Sequence, residues 1–163
     1  MKNLVLMVGT PASGKSTFIQ EHNVKNYKVV SRDTIRFSFL KDNEDYFAHE
    51  NEVYKVFVNT TKEELDKGNN VIADATFLSE GSRTKFLRAL GKSLENTKVT
   101  AVMMKTPLEV CLERNEQRQG RAYVPRGVIR RMDAQKTVPA IEEGFDEVFV
   151  YIGKNYIYKK KED

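Results

Sequence analysis

The segment Gly9-Thr10-Pro11-Ala12-Ser13-Gly14-Lys15-Ser16 constrains this chain more than any other stretch. It fits G-x-x-x-x-G-K-[ST] at every position and directly follows the apolar run Leu4-Val5-Leu6-Met7-Val8. That run has strand length and the continuous hydrophobicity of a strand buried on both faces of a parallel sheet. From Lys15 to about His22 there is room for a helix. A strand, a glycine-bearing loop and a helix in this order cradle phosphate: backbone amides turn inward and the helix adds its positive end. Lys15 is then expected at the β and γ oxygens of a nucleotide, Ser16 on magnesium, and Gly9 through Thr17 around the phosphates.

The remaining pattern alternates strand and helix. Strand candidates are Tyr27–Ser31, Val71–Ala73, Val99–Met104 and Glu147–Ile152, giving five with the first. Helices are expected over 32–40, over 46–67 until Gly68-Asn69-Asn70, from a Ser79 cap to about Ser93, after Pro107, and from Pro125 to about Val138. This predicts an α/β fold: a doubly wound, parallel five-stranded sheet flanked by helices, with ligands at the carboxyl ends of the strands. The lysines at 159–161 read as a solvated tail.

At 163 residues the chain has the size of one domain, 1–163, and no internal repeat or low-complexity linker divides it. No run of about 18 apolar residues is present, so no membrane partner is expected. Cys111 is the single cysteine, which excludes an internal disulfide; flanked by Val110 and Leu112, it reads as a half-buried helix residue in a cytoplasmic protein. His22 and His49 have no partners at metal-ligand spacing. The formal charge of +4 is compatible with a phosphate-bearing ligand and too small to demand one.

Several positions carry chemistry. Asp33, after the second strand, would face the phosphate loop and could take a proton from an acceptor hydroxyl; the competing reading is a helix cap. Arg36, one helical turn on, could hold an acceptor phosphate or form an internal ion pair. Asp74, ending the apolar run Val71-Ile72-Ala73, suits magnesium support through Ser16 or water. Arg114 and Arg118 at i, i+4 would share a helix face ahead of a Gly120-Arg121 segment, either as a lid over migrating charge or as a solvated face paired with Glu113 and Glu116. Tyr46, Phe47 and Tyr54 could stack on bases or pack a core.

Taken together, GTPASGKST, SRDTIR, IADATFLSEGSR and RNEQRQGRAYVP, in this order, resemble the kinase domain of the phage-type 5′-hydroxyl polynucleotide kinases. The resemblance spans about Lys2 to Met132. It implies ATP and magnesium as cofactors, held through Lys15 and Ser16 with Asp74 and Arg118 as further nucleotide contacts. It also implies Asp33 as general base, Arg36 on the phosphate at the acceptor nucleotide's 3′ side, and Arg114 and Arg118 as catalytic lid arginines. The family's D-T-N segment appears here as Asp74-Ala75-Thr76-Phe77, a departure; Thr76 is expected on the acceptor side. The implied function is transfer of the ATP γ-phosphate to the 5′-hydroxyl of DNA or RNA, without 3′-phosphatase activity. A metabolite kinase and an ATP-dependent nucleic-acid-binding regulatory module are the alternatives. A basic groove open at both ends near Arg36 and residues 41–54 would favour a polynucleotide; a closed pocket there would favour a metabolite.

Overall fold

The computed structural model describes residues 1–22 and 25–163. Six strands form one sheet in the order β2-β3-β1-β4-β5-β6: β1 Lys2–Val8, β2 Tyr27–Ser31, β3 Asn70–Asp74, β4 Thr97–Met104, β5 Glu147–Ile152 and β6 Asn155–Lys160. The first five are parallel and β6 is antiparallel to β5. Six α-helices accompany them among the described residues: α1 Lys15–Glu21, α2 Arg32–Phe39, α3 Glu50–Asp66, α4 Glu80–Leu90, α5 Leu108–Glu116 and α6 Arg126–Ala134.

β1 shows why a continuous apolar run belongs at the centre of such a sheet. Side chains alternate across a strand, so Leu4, Leu6 and Val8 enter one core with Phe57 of α3 and Phe86 of α4. Met7 and Val5 enter the opposite one with Phe18 and Ile19 of α1. A third, smaller cluster of Leu112, Val124 and Ile129 joins α5, the segment after it, and α6. Cys111 is fully buried rather than half-buried.

The five-strand expectation is corrected by β6. Most of the stretch read as a charged tail is a hairpin strand, turned back at Gly153-Lys154 with Gly153 at φ 62°. Cross-strand aromatic pairs hold it: Phe149 lies 4.7 Å from Tyr158 and Tyr151 lies 5.1 Å from Tyr156, centroid to centroid. β6 is an exposed edge throughout, and its lysines suit an edge that should not recruit another chain. Helix limits also differ from expectation, α4 ending at Leu90 ahead of a 3-10 turn over Gly91–Leu94. α3 begins at Glu50, because 46–48 form turns, and α6 ends at Ala134, leaving Val138 exposed. No helix among the described residues is long and apolar enough to cross a membrane.

Candidate functional site

The carboxyl ends of β1 to β5 converge on one cavity of about 1010 Å³. β1 delivers the loop Gly9–Gly14. A Cβ at Gly9 would collide with the Ser13 hydroxyl, and Gly14 sits at φ 105°, so both glycines answer to geometry. Ala12 is also left-handed, at φ 67°. Three side chains from elsewhere brace the loop: Thr106 Oγ1 donates to the Ser13 carbonyl at 2.7 Å, Arg114 Nη1 to the Ala12 carbonyl at 3.4 Å, and Thr10 Oγ1 to Asp133 Oδ1 at 2.8 Å. Gly9 N–H donates to the Thr76 carbonyl at 2.9 Å, which ties the loop to the end of β3.

Lys15 curls back over this loop, donating to the carbonyls of Gly9 at 2.7 Å and Thr10 at 3.3 Å. Burial lowers its pKa, against the opposing pull of the Asp74 and Asp33 carboxylates. Asp74 lies at the end of β3, where burial raises its pKa and the Lys15 charge works the other way. Among the described residues two buried side-chain atoms lack a hydrogen-bond partner: Ser13 Oγ and Arg32 Nε, both on residues lining the cavity.

β2 and α2 supply the facing wall. Ser31, and not Asp33, caps α2, its hydroxyl accepting from Thr34 N–H at 3.2 Å. That leaves Asp33 one residue inside the helix with its carboxylate about half exposed, lining the cavity. Arg36 Nη1 donates to it in a close ion pair, and the Tyr46 hydroxyl donates to the same oxygen at 2.5 Å. Burial, followed by the Asp33 charge, raises the pKa of that phenol, so Tyr46 stays a donor. Of the two readings of Arg36, the internal pair is the one present. Its Nε and Nη2 reach the two Glu50 oxygens at 2.8 and 3.1 Å, Tyr46 lies against its face at 4.4 Å, and only 7% of the residue is exposed. The surroundings of Arg36 and residues 41–54 are therefore aromatic and acidic, and not a basic groove.

Arg114 and Arg118 both line the cavity, but they do not share a helix face. α5 ends at Glu116, and Arg118 follows in an irregular segment where Nη1 donates to the Ala122 carbonyl at 3.3 Å. Among the described residues neither arginine pairs with Glu113 or Glu116, the partners of the simpler reading, and Glu116 pairs with Arg126. Arg121 reaches across to α2 and the segment after it, donating to the Phe37 carbonyl at 3.1 Å and to Asp42 at 3.3 Å. The far end of the cavity is aromatic, with Phe18 stacked on His22 at 3.8 Å and on edge to Tyr151 at 5.0 Å.

No cluster of three or more His, Cys, Asp or Glu side chains able to hold a metal occurs among the described residues. Ser16 and Asp74 on the cavity wall match the sparse protein ligation of a magnesium that arrives on nucleotide phosphates. Sequence reasoning missed Arg32, Glu50, Thr106 and Asp133. Arg32 stands inside the SRDTIR segment with no role read for it, Glu50, Thr106 and Asp133 lie in no recognisable spacing, and each acts through a contact made across the fold.

Residues 4–139 match the family model described as AAA domain (AAA_33). The chain belongs to this family. It is of the P-loop kinase type, and its sheet and phosphate loop accord with that. The L-seryl-tRNA(Sec) kinase of Methanococcus maripaludis is 28% identical over 152 residues, covering 88% of this chain and 56% of that protein. Transcription factor bHLH140 of Arabidopsis thaliana is 27% identical over 152 residues, 89% of this chain and 15% of that protein. A chain of the solved Pnkp1/Rnl/Hen1 RNA repair complex superposes with a TM-score of 0.65 at 26% identity, covering 82% of this AAA-domain chain and 43% of its own length. This chain thus spans about half or less of each relative.

Proposed function

We propose that this protein transfers the γ-phosphoryl group of magnesium-ATP to the 5′-hydroxyl end of DNA or RNA. The observation that carries the reading is Asp33: a carboxylate held by Arg36 and the Tyr46 hydroxyl, on the same cavity as Lys15, Arg114 and Arg118. In this account Asp33 accepts the proton of the acceptor hydroxyl as its oxygen attacks the γ-phosphorus. The bond to the β–γ bridging oxygen breaks and ADP leaves. Lys15, Arg114 and Arg118 neutralise the charge spread over the migrating group, while Ser16 and Asp74 would hold a magnesium that offsets charge on the phosphates.

A nucleic-acid acceptor is supported by relatives named for RNA repair and for a seryl-tRNA, and by Tyr46 and Phe47 at the acceptor wall, where a base could stack. Thr76 completes that wall in the proposal. The aromatic end at Phe18, His22 and Tyr151 would take the base of ATP.

A second reading, a metabolite kinase, is favoured by one specific observation. Arg36 is consumed by Glu50 and Asp33, which leaves it no free donor for the phosphate of a strand end. Incubation with γ-labelled ATP, magnesium and a panel of 5′-hydroxyl RNA, 5′-hydroxyl DNA, nucleosides and sugars separates the two. Label at oligonucleotide 5′ ends is expected; label on sugars alone would establish the second reading.

A further inference from the structure

The carboxylate of Asp133 stands where a carboxylate is disfavoured twice over. It lies in the last turn of α6, where the helix dipole opposes an anion, and it braces a loop whose own ligand is anionic. Two donors meet on its Oδ1: Thr10 Oγ1 at 2.8 Å and Lys136 Nζ at 2.8 Å. The lysine offsets the charge and fixes the oxygen, so the Thr10 hydroxyl meets an acceptor that is already held. The Asp133 side chain is 13% exposed, and Thr10 is buried. Neither residue lines the cavity, so whatever the pair contributes at the phosphates passes through the loop backbone. The Thr10 carbonyl accepts from Ser13 N–H at 3.0 Å and from Lys15 Nζ at 3.3 Å. Thr10 therefore answers to α6 through its side chain and to Lys15 through its backbone.

α6 is tied at both ends. It follows Val124 and Pro125 directly, and Val124 is bonded to Asn115 on the far side of the segment that carries Arg118. Ile129 packs with Leu112 and Val124. Just past the other end, Thr137 N–H donates to the Leu78 carbonyl at 2.8 Å, and Arg83 Nη2 donates to Thr137 Oγ1 at 2.9 Å. The helix has 9 residues and is about 13 Å long. One short rigid element thus joins the Arg118 segment to the phosphate loop.

We infer that Asp133 is a positioning residue for phosphoryl transfer: through Thr10 it fixes the loop backbone that holds Lys15, and through α6 it keeps Lys15 in register with Arg118. This rests on the roles proposed above for Lys15 and Arg118 and not on the acceptor, so it applies to a polynucleotide and to a metabolite alike.

The test is a double-mutant cycle of Thr10→Val, Asp133→Leu and the two together, with Thr10→Ser as the conservative variant. Transfer of the γ-phosphate to 5′-hydroxyl RNA, and its magnesium-dependent release to water, are counted per ATP-binding site found by titration calorimetry. Each single variant should lower kcat about tenfold, the worth of one hydrogen bond to a charged group, with KM for RNA unchanged. The double variant should be no slower than the slower single, and Thr10→Ser should recover most of the loss. If Asp133→Leu does not fold, Thr10→Val against Thr10→Ser carries the same test. Wild-type kcat per site in the single variants would overturn the inference, whatever their melting temperatures. Losses that multiply in the double variant would overturn the coupling through Thr10. The predicted losses in release to water, with a wild type that labels no RNA, would remove the polynucleotide reading and leave this one standing. A wild type that transfers phosphate to neither RNA nor water, nor to any acceptor of the panel above, would remove both.

Discussion

Asn115 and Val124 hold each other across the segment between α5 and α6: Asn115 Nδ2 donates to the Val124 carbonyl at 2.6 Å, and Asn115 Oδ1 accepts the Val124 N–H at 3.0 Å. Both residues are buried, so this exchange closes the loop that carries Arg118. Asn115→Leu strands the Val124 backbone groups away from water. We expect a loss on the order of 2–3 kcal/mol in denaturant unfolding, together with weakened phosphoryl transfer as Arg118 loses its seat. Unchanged stability and activity would show that this segment is held by the apolar cluster of Leu112, Val124 and Ile129 instead.

Asp33→Asn keeps the size of the side chain and its contact with Tyr46 but removes the carboxylate proposed as the base. Transfer should fall by roughly a hundredfold to ten-thousandfold, with ATP binding retained by titration calorimetry. Tyr46→Phe removes one donor to the same carboxylate and should lower kcat by about tenfold, the value of one hydrogen bond to a charged group, with little change in KM for ATP. Loss of ATP binding in either variant would place these residues in a structural role.

Asp74 has its pKa raised in the folded state, mainly by burial. A raised carboxyl contributes stability that is present below the unfolded value of 3.8 and lost as pH rises through the folded value. At neutral pH the buried charge therefore costs stability. Asp74→Asn should melt at a higher temperature than wild type near pH 7, with the difference closing as pH falls toward 4. The same variant should lose activity, a trade of function against stability. A variant less stable than wild type at pH 7, measured without nucleotide, would contradict this.

Arg83 and Glu143 form a buried pair, with Arg83 side-chain exposure of 0% and Glu143 of 5%. Arg83 also donates to the carbonyls of Phe77 and Leu78 at 2.9 and 3.1 Å, so it anchors the turn that follows Asp74 and Thr76. Arg83→Leu leaves Glu143 unpaired and should cost about 3–5 kcal/mol. Adding Glu143→Leu should recover a part of that in denaturant unfolding. Equal losses in the single and double variants would mean that the carbonyl contacts, and not the ion pair, dominate.

What was legible in the sequence was whatever is carried by local pattern. The phosphate loop, five of the strands and the Ser79 cap follow from motif and periodicity, because each depends on neighbours a few residues away. The hairpin strand β6 was hidden because Tyr156 and Tyr158 find their reason only opposite Tyr151 and Phe149. The state of Arg36 was hidden for the same reason. An R-D-x-x-R spacing sets Asp33 and Arg36 one turn apart, but nothing local announces that Glu50, fourteen residues on, will claim the guanidinium. The break between Arg114 and Arg118 was likewise invisible to an i, i+4 count, since Asn115 is drawn to Val124 and the helix ends at Glu116.

The most direct test of the account is transfer of the γ-phosphate from labelled ATP, with magnesium, to 5′-hydroxyl RNA and DNA oligonucleotides by wild type, Asp33→Asn and Arg118→Ala. The account predicts 5′-end labelling by wild type and its loss in both variants while ATP binding persists in Asp33→Asn. A folded, ATP-binding wild type that labels no oligonucleotide would contradict it.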